Sequence, residues 1–275
     1  MRNIFNYVDR PSPVHRLTGA TKLVCLLLWS FAAMSTYDTR LLVLLTMLSF
    51  VLFGLSKIRF RDVSFLLSFM AAFMILNNIL IFVFSPQHGV TLYGSSHPLF
   101  SLGGRYVVTQ EQLFYHLNLI LKYFATIPIV LLFVCTTNPS EFAASLNRIG
   151  VKYTIAYSVA LALRYIPDIQ KEYHEISQAQ QARGIEMSKK QNLIRRLKSA
   201  SSILIPLILS SMDRIETISN AMELRGFGKN KKRTWYMARP FRKADFAAMA
   251  VCVLLLAASI VMNIVNGGRF WNPFL

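Results

Sequence analysis

The sequence predicts an all-α, polytopic membrane protein with about five spanning helices and a long helical region between the fourth and the fifth. Three observations predict it. Of 275 residues, 54% are hydrophobic and 12% aromatic. Only 16% are charged, against roughly 25% in soluble domains. The apolar residues gather in blocks close to the ~20 residues that a helix needs to cross a bilayer, and the basic residues fall mainly on alternate sides of those blocks.

The first block, 22–37, follows a long polar stretch. It could be taken for a signal peptide with "FAAMS" as its cleavage site, but four more blocks follow, and a retained first helix is expected. The second, 41–56, is short for a span. The third is 63–84, the fourth 113–135 with Lys122 inside it, and the fifth 244–265. Lys122 is expected to face protein and bond to asparagine or a backbone oxygen, with contact to a membrane partner as the alternative, Asn77 and Asn78 being the other polar residues deep in a span. Cys25, Cys135 and Cys252 all lie in apolar blocks and read as buried small hydrophobes.

Formal charge is +17, and its placement matters more than its size. Of 30 basic residues, four stand before or at the start of the first block (Arg2, Arg10, Arg16, Lys22), three lie in "KIRFR", and nineteen lie between 136 and 243. The alternate side has Arg40, Arg105 and Arg269. Basic loops are retained in the cytoplasm, so the N-terminus and 136–243 are expected inside, and 85–112 and the C-terminal tail outside. The charge is read as a topology signal, with no nucleic acid expected as partner. The expected divisions are a membrane part at 1–135, cytoplasmic helices at 136–243, and a last span with external tail at 244–275. The external segment 85–112 reads as loop, with room for a short hairpin through "RYVV".

In the cytoplasmic region, Asn138 can cap a helix, Pro139 suits its first position and Glu141 can reach back to the cap. That helix should run to Arg148 and stop at Gly150. The next should run to Arg183, bent or broken near Pro167. Ser188 and Gln191 resemble a capping box opening a helix to Arg225, with Pro206 inside and Ile194, Leu197, Leu204, Leu207, Ile215, Ile218 and Met222 on one side. The apolar stretches "TIAYSVALALRYIP" and "ILIPLILSSM" are too short to cross.

The two long helices end alike. "ISQAQQARG" at 176–184 and "ISNAMELRG" at 218–226 share five of nine positions. Glycine tolerates the left-handed cap conformation, and an arginine on the last turn complements the helix dipole. For either end alone, a capped helix accounts for the pattern. The shared frame points instead to a repeated partner, since guanidinium suits bidentate carboxylate contact in a groove.

With these features in order, the chain resembles the transmembrane T component of energy-coupling-factor (ECF) transporters, the family that includes the permease of cobalt importers. The resemblance rests on "SPVHRLTGATKL", "TNPSEFAASLNRIG", "LALRYIPDIQKEYHEISQAQQARG" and "AMELRGFG", and covers nearly the whole chain. It implies a cytoplasmic coupling module of long crossed helices in which two Ala-Arg-Gly-type motifs each dock one ABC ATPase subunit. Carried over, these are Ala182, Arg183 and Gly184, then Leu224, Arg225 and Gly226, with Leu224 standing where the pattern has alanine. ATPase movement would pass to a separate membrane-embedded S component that binds a vitamin, vitamin precursor or transition-metal ion, in the plasma membrane. A conventional ABC importer permease is the nearest rival, but its docking-loop glycine follows the glutamate by six positions, whereas Gly150 follows Glu141 by nine. A membrane enzyme is the other rival class. The sequence has no HExxH, phosphate loop or clustered aspartates, and His15, His88, His97, His116 and His174 share no ligand spacing. Glu172 and Glu175 read as a solvated face. No catalytic residue, metal site or cofactor is expected.

Overall fold

The computed structural model describes residues 12–103, 106–185, 193–230, 234–235 and 238–274. The chain divides into two compact units, Met1–Asn138 with Arg239–Leu275, and Pro139–Ala238. In order, the elements are α1 (Gly19–Ser35), α2 (Thr39–Leu55), α3 (Phe60–Phe84), α4 (His88–Tyr93), β1 (Pro98–Gly103), β2 (Tyr106–Thr109), α5 (Gln110–Thr136), α6 (Pro139–Arg148), α7 (Tyr153–Ala182), α8 (Leu193–Leu224) and α9 (Lys243–Val265).

Among the described residues of the first unit, three helices are long and apolar enough to cross a membrane: Val63–Phe84 within α3, α5 and α9. α1 and α2 are apolar but have 17 residues each, about 26 Å at ~1.5 Å per residue, slightly short of a ~30 Å hydrocarbon core. The protein is an all-α membrane protein, with one short hairpin among the described residues.

Side-chain bonds fix the helix directions. Asp245 at the start of α9 accepts from Thr18 N at 2.8 Å, at the N-cap of α1. Farther along, Ser35 Oγ and Ser259 Oγ are 2.6 Å apart, and Asn263 Nδ2 donates to Ser35 O. α1 and α9 therefore run parallel. α2 runs parallel to α5, since Thr39 bonds Asn118, Thr46 bonds Leu121 O, and Ser49 bonds Phe124 O. α3 opposes α5. Asn78 Oδ1 meets His116 Nδ1 at 2.9 Å, while Val63 packs with Leu131 at the other end. Lys22, Lys57, Arg59 and Arg61 thus share one end of the unit, and Arg40 and Arg269 the other. The core joins Trp29, Ala33, Leu41, Leu45, Ala125, Ile129 and Cys252. Burying the indole would strand its donor, and Trp29 Nε1 donates to Ala125 O at 2.9 Å.

Lys122 is buried and faces protein as expected. Its Nζ lies 3.2 Å from the centroid of the Tyr37 ring and donates to Met34 O at 3.3 Å. At the opposite end from Lys22, the segment before α5 is more ordered than its composition predicts. It contains α4 as well as the β1–β2 hairpin. Glu111, fully buried on the first turn of α5, accepts from Ser95 Oγ and His97 N and meets His97 Nδ1 at 2.7 Å. Gly89 lies so close to α5 that a Cβ would meet Gln112 N and Glu111 O at 2.6 Å. Its amide donates to Gln112 Oε1 at 2.7 Å.

In the second unit, α6 has the predicted limits, and Gly150 turns the chain with φ +107°. α7 is not broken at Pro167: the helix is continuous from Tyr153 to Ala182. A proline removes one helical hydrogen bond, and in so long a helix the bonds on either side keep it from ending there. The expected capping box at Ser188 and Gln191 lies outside the described residues, and α8 is described from Leu193 with Pro206 inside it. Neither α7 nor α8 is among the helices apolar enough to cross a membrane.

Candidate docking ends

The two arginine-glycine ends adopt one geometry. After α7, Gly184 has φ +84°, its amide donates to Gln181 O at 2.9 Å, and Ile185 N donates to Gln180 O at 3.1 Å. After α8, Gly226 has φ +63°, its amide donates to Glu223 O at 2.8 Å, and Phe227 N donates to Met222 O at 2.9 Å. Both are complete Schellman closures, in which the left-handed glycine lets the chain satisfy its last carbonyls. The same closure ends α6 at Gly150 and α9 at Gly267, so the turn alone is general. What sets the repeated ends apart is the residue before the glycine. It is Arg183 and Arg225 there, but Ile149 and Asn266 at the other two.

Of the predicted site residues, Ala182, Arg183, Gly184, Leu224 and Arg225 are exposed and Gly226 is half-buried. Leu224 is 90% exposed, so an unsatisfied apolar side chain stands beside the second arginine.

Bonds between α7 and α8 place the two ends relative to each other. Gln180 Nε2 donates to Ser202 O, Glu172 bonds Ser210 Oγ and Arg214 (2.7 Å to Nη2), and Tyr157 packs on Phe227. Numbers rise on one helix as they fall on the other, so the pair is antiparallel. Arg183 and Arg225 stand at opposite ends of it, separated by the length of α7 from Tyr157 to Arg183, about 40 Å at ~1.5 Å per residue. Glu172 is not on a solvated face. Its side chain is 16% exposed, and it is the central acceptor between the helices. Only Glu175, paired with Lys171 at 3.8 Å, faces outward as predicted.

The single apolar side predicted for α8 is divided. Ile203 and Leu207 are buried, whereas Leu197, Leu204, Ile205, Ile208, Met212 and Ile215 are exposed. α8 is therefore apolar on two faces, because the partner helix α7 covers only one of them. Among the described residues, no group of three or more His, Cys, Asp or Glu could hold a metal ion.

A family profile described as CbiQ, cobalt transport protein, matches residues 10–236. The chain belongs to this family of transmembrane transport components. Relatives named "energy-coupling factor transporter transmembrane protein EcfT" include that of Bacillus selenitireducens, 30% identical over 96% of this chain and 98% of the relative. That of Streptococcus equi is 28% identical over 90% and 92% of the two chains, and that of Bacillus subtilis 26% over 93% and 95%. The resemblance drawn from the motifs and the family membership agree.

In this CbiQ/EcfT-type chain, sequence reasoning missed an aromatic cluster behind the second end. Tyr153, Tyr157, Phe227 and Trp235 meet there, and Trp235 Nε1 donates to Asn147 Oδ1 at 3.1 Å. The signal available was Tyr153 and Tyr157 four apart on one helix face. Their partners lie some 70 residues away in sequence, beyond what periodicity reports.

Proposed function

We propose that this chain is the energy-coupling transmembrane subunit of an ECF-type importer. Two ABC ATPase subunits, identical or paired, dock at residues 182–184 and 224–226. Their ATP-driven movement passes through α7 and α8 to a membrane-embedded S component, which carries a vitamin, vitamin precursor or transition-metal ion. The chain itself is non-catalytic. The observation that carries this reading is the pair of identical closures that expose Arg183 and Arg225 at opposite ends of one antiparallel helix pair. A guanidinium at a helix end is suited to an acidic groove, and one pair with two such ends suits two similar subunits. The exposed apolar face of α8 offers the S component a surface of matching chemistry.

In this reading 1–135 and 244–275 form the membrane part and 136–243 the cytoplasmic part, in the plasma membrane. The alternating helix directions support it, since they gather Lys22, Lys57, Arg59 and Arg61 at one end, which basic-residue retention assigns to the cytoplasm. Two measurements test the reading. Purification from membranes that also contain the ATPases and S component should recover the ATPases with this chain. Labelling of intact cells should reach a cysteine placed at Gly94 but not at Lys229. Absence of ATPase from the purified chain, or the reverse labelling pattern, would overturn it.

A further inference from the structure

Beyond the second end, Phe227 and Trp235 stay on the helix pair. Gly226 and Gly228 turn it with φ +63° and +85°, and Phe227 between them packs on Tyr157 and Tyr153 with ring centroids 4.9 and 5.8 Å apart. Trp235 closes on the same two rings, at 5.5 Å from Tyr153 and 6.2 Å from Tyr157. Its indole N–H reaches Asn147 on α6, and Asn147 Nδ2 donates to Val151 O at 2.9 Å, across the Gly150 turn. Four rings and one hydrogen-bonded amide therefore bind the tail of the second end to the corner between α6 and α7.

The first end needs no such device, because Arg183 caps α7 itself. α7 thus holds both ends, one by covalent continuity and the other through aromatic contact. These rings meet tilted, at interplanar angles of 43° to 57°, and sliding them would lose packed contact area.

We propose that Tyr153, Tyr157, Phe227 and Trp235 are positioning residues for energy coupling. They make α7 a strut between the two docks, so that displacement of the ATPase at Arg225 moves the α6–α7 corner instead of swinging a loose connection. The proposal rests on the reading of Arg225 as a dock. α6 follows α5 in the chain with only Thr137 and Asn138 between them, so in the chain the corner joins α5 through α6 alone. The backbone bonds that close the second cap do not involve the rings. Loss of the rings therefore spares ATPase docking and removes the transmission of its movement.

The test uses the full complex with its ATPases and S component, spin-labelled at cysteines replacing Lys152 and Lys229, both exposed. In the unaltered clamp this distance should be narrow and the same without nucleotide and with ATP plus vanadate. In Trp235→Ala and Tyr157→Ala, ATP plus vanadate should shift it by about one helical pitch, ~5 Å, or more, with ATPase recovered as in the parent. Trp235→Phe, which restores a ring but not the N–H, should recover most of the narrow distribution. If alanine lowers the inserted yield, Phe227→Leu keeps the apolar bulk, removes a ring and should show the same nucleotide-dependent shift. A distance that ignores nucleotide in the ring-deleted variants would overturn the proposal, as would loss of ATPase together with the rings. Failure of the parent chain to recover any ATPase would instead overturn the docking reading itself.

Discussion

Glu172 on α7 and Arg214 on α8 form a charged contact between the two long helices, 2.7 Å from Oε2 to Nη2, with Ser210 Oγ donating to the other carboxylate oxygen. Removing Glu172 leaves a partly buried guanidinium without its acceptor, for which a loss of roughly 1–3 kcal/mol is expected. Glu172→Ala should lower the thermal midpoint of the detergent-solubilised protein more than Glu175→Ala, whose pair with Lys171 is exposed and worth about 0–1 kcal/mol. Equal effects of the two changes would contradict the assignment of Glu172 to the interface.

Lys122 sits over the Tyr37 ring with its ammonium held by one backbone oxygen. An unbranched apolar side chain can fill that space, and replacing a buried charge by a well-packed hydrophobe is often close to neutral. Lys122→Met should therefore retain transport and lose no more than ~2 kcal/mol, the scale of a desolvated cation–π contact. Abolished transport with intact folding would instead give Lys122 a direct role in translocation.

Glu111 binds the segment around Ser95 and His97 to the start of α5 through a fully buried carboxylate. Glu111→Ala strands several donors and should cost about 2–4 kcal/mol, from more than one unsatisfied group. The loss should be local: limited proteolysis should accelerate within 95–109, while cleavage elsewhere is unchanged. Uniform acceleration along the chain would show that Glu111 supports the whole unit.

Much of this was legible because its causes are local. The limits of α6 follow from Pro139, Glu141 and Gly150, and the two closures from Gly184 and Gly226, each set by residues within one turn. Helix directions followed from the length of the apolar blocks and the placement of lysine and arginine. What stayed hidden depends on tertiary register. α4, at six residues, is too short for periodicity to show. The place of Glu172 depends on which residues of α8 lie opposite, and periodicity counted α8 as having one apolar side because it cannot tell a face covered by α7 from one left open. Trp235 has no local pattern, and its role exists only where α6, α7 and the tail of the second end converge.

Gly184 and Gly226 hold φ values that side chains disfavour, although no atom lies within 4 Å of a Cβ built at Gly184. Alanine at Gly184 should therefore cost only the left-handed backbone penalty, roughly 1–2 kcal/mol, and valine more, through its branched Cβ. Either change should reduce ATPase recovery by re-aiming Arg183, whereas Gly267→Ala, at a closure without arginine, should cost similar stability and leave recovery intact. Parallel behaviour of the two glycines in the recovery assay would separate the closure from docking.

The most direct measurement is recovery of ATPase from detergent-solubilised membranes with Arg183→Ala, Arg225→Ala and the double variant, each first shown to be folded and inserted. If each arginine docks one ATPase subunit, each single change removes a charged, partly desolvated contact worth roughly 2–5 kcal/mol. Transport should then fall in each single variant, and the double variant should release the ATPases more completely than either. If the arginines only complement helix dipoles, the loss is ~0.3–1 kcal/mol of helix stability. Undiminished ATPase recovery and transport in the double variant would contradict docking and leave Arg183 and Arg225 as helix caps.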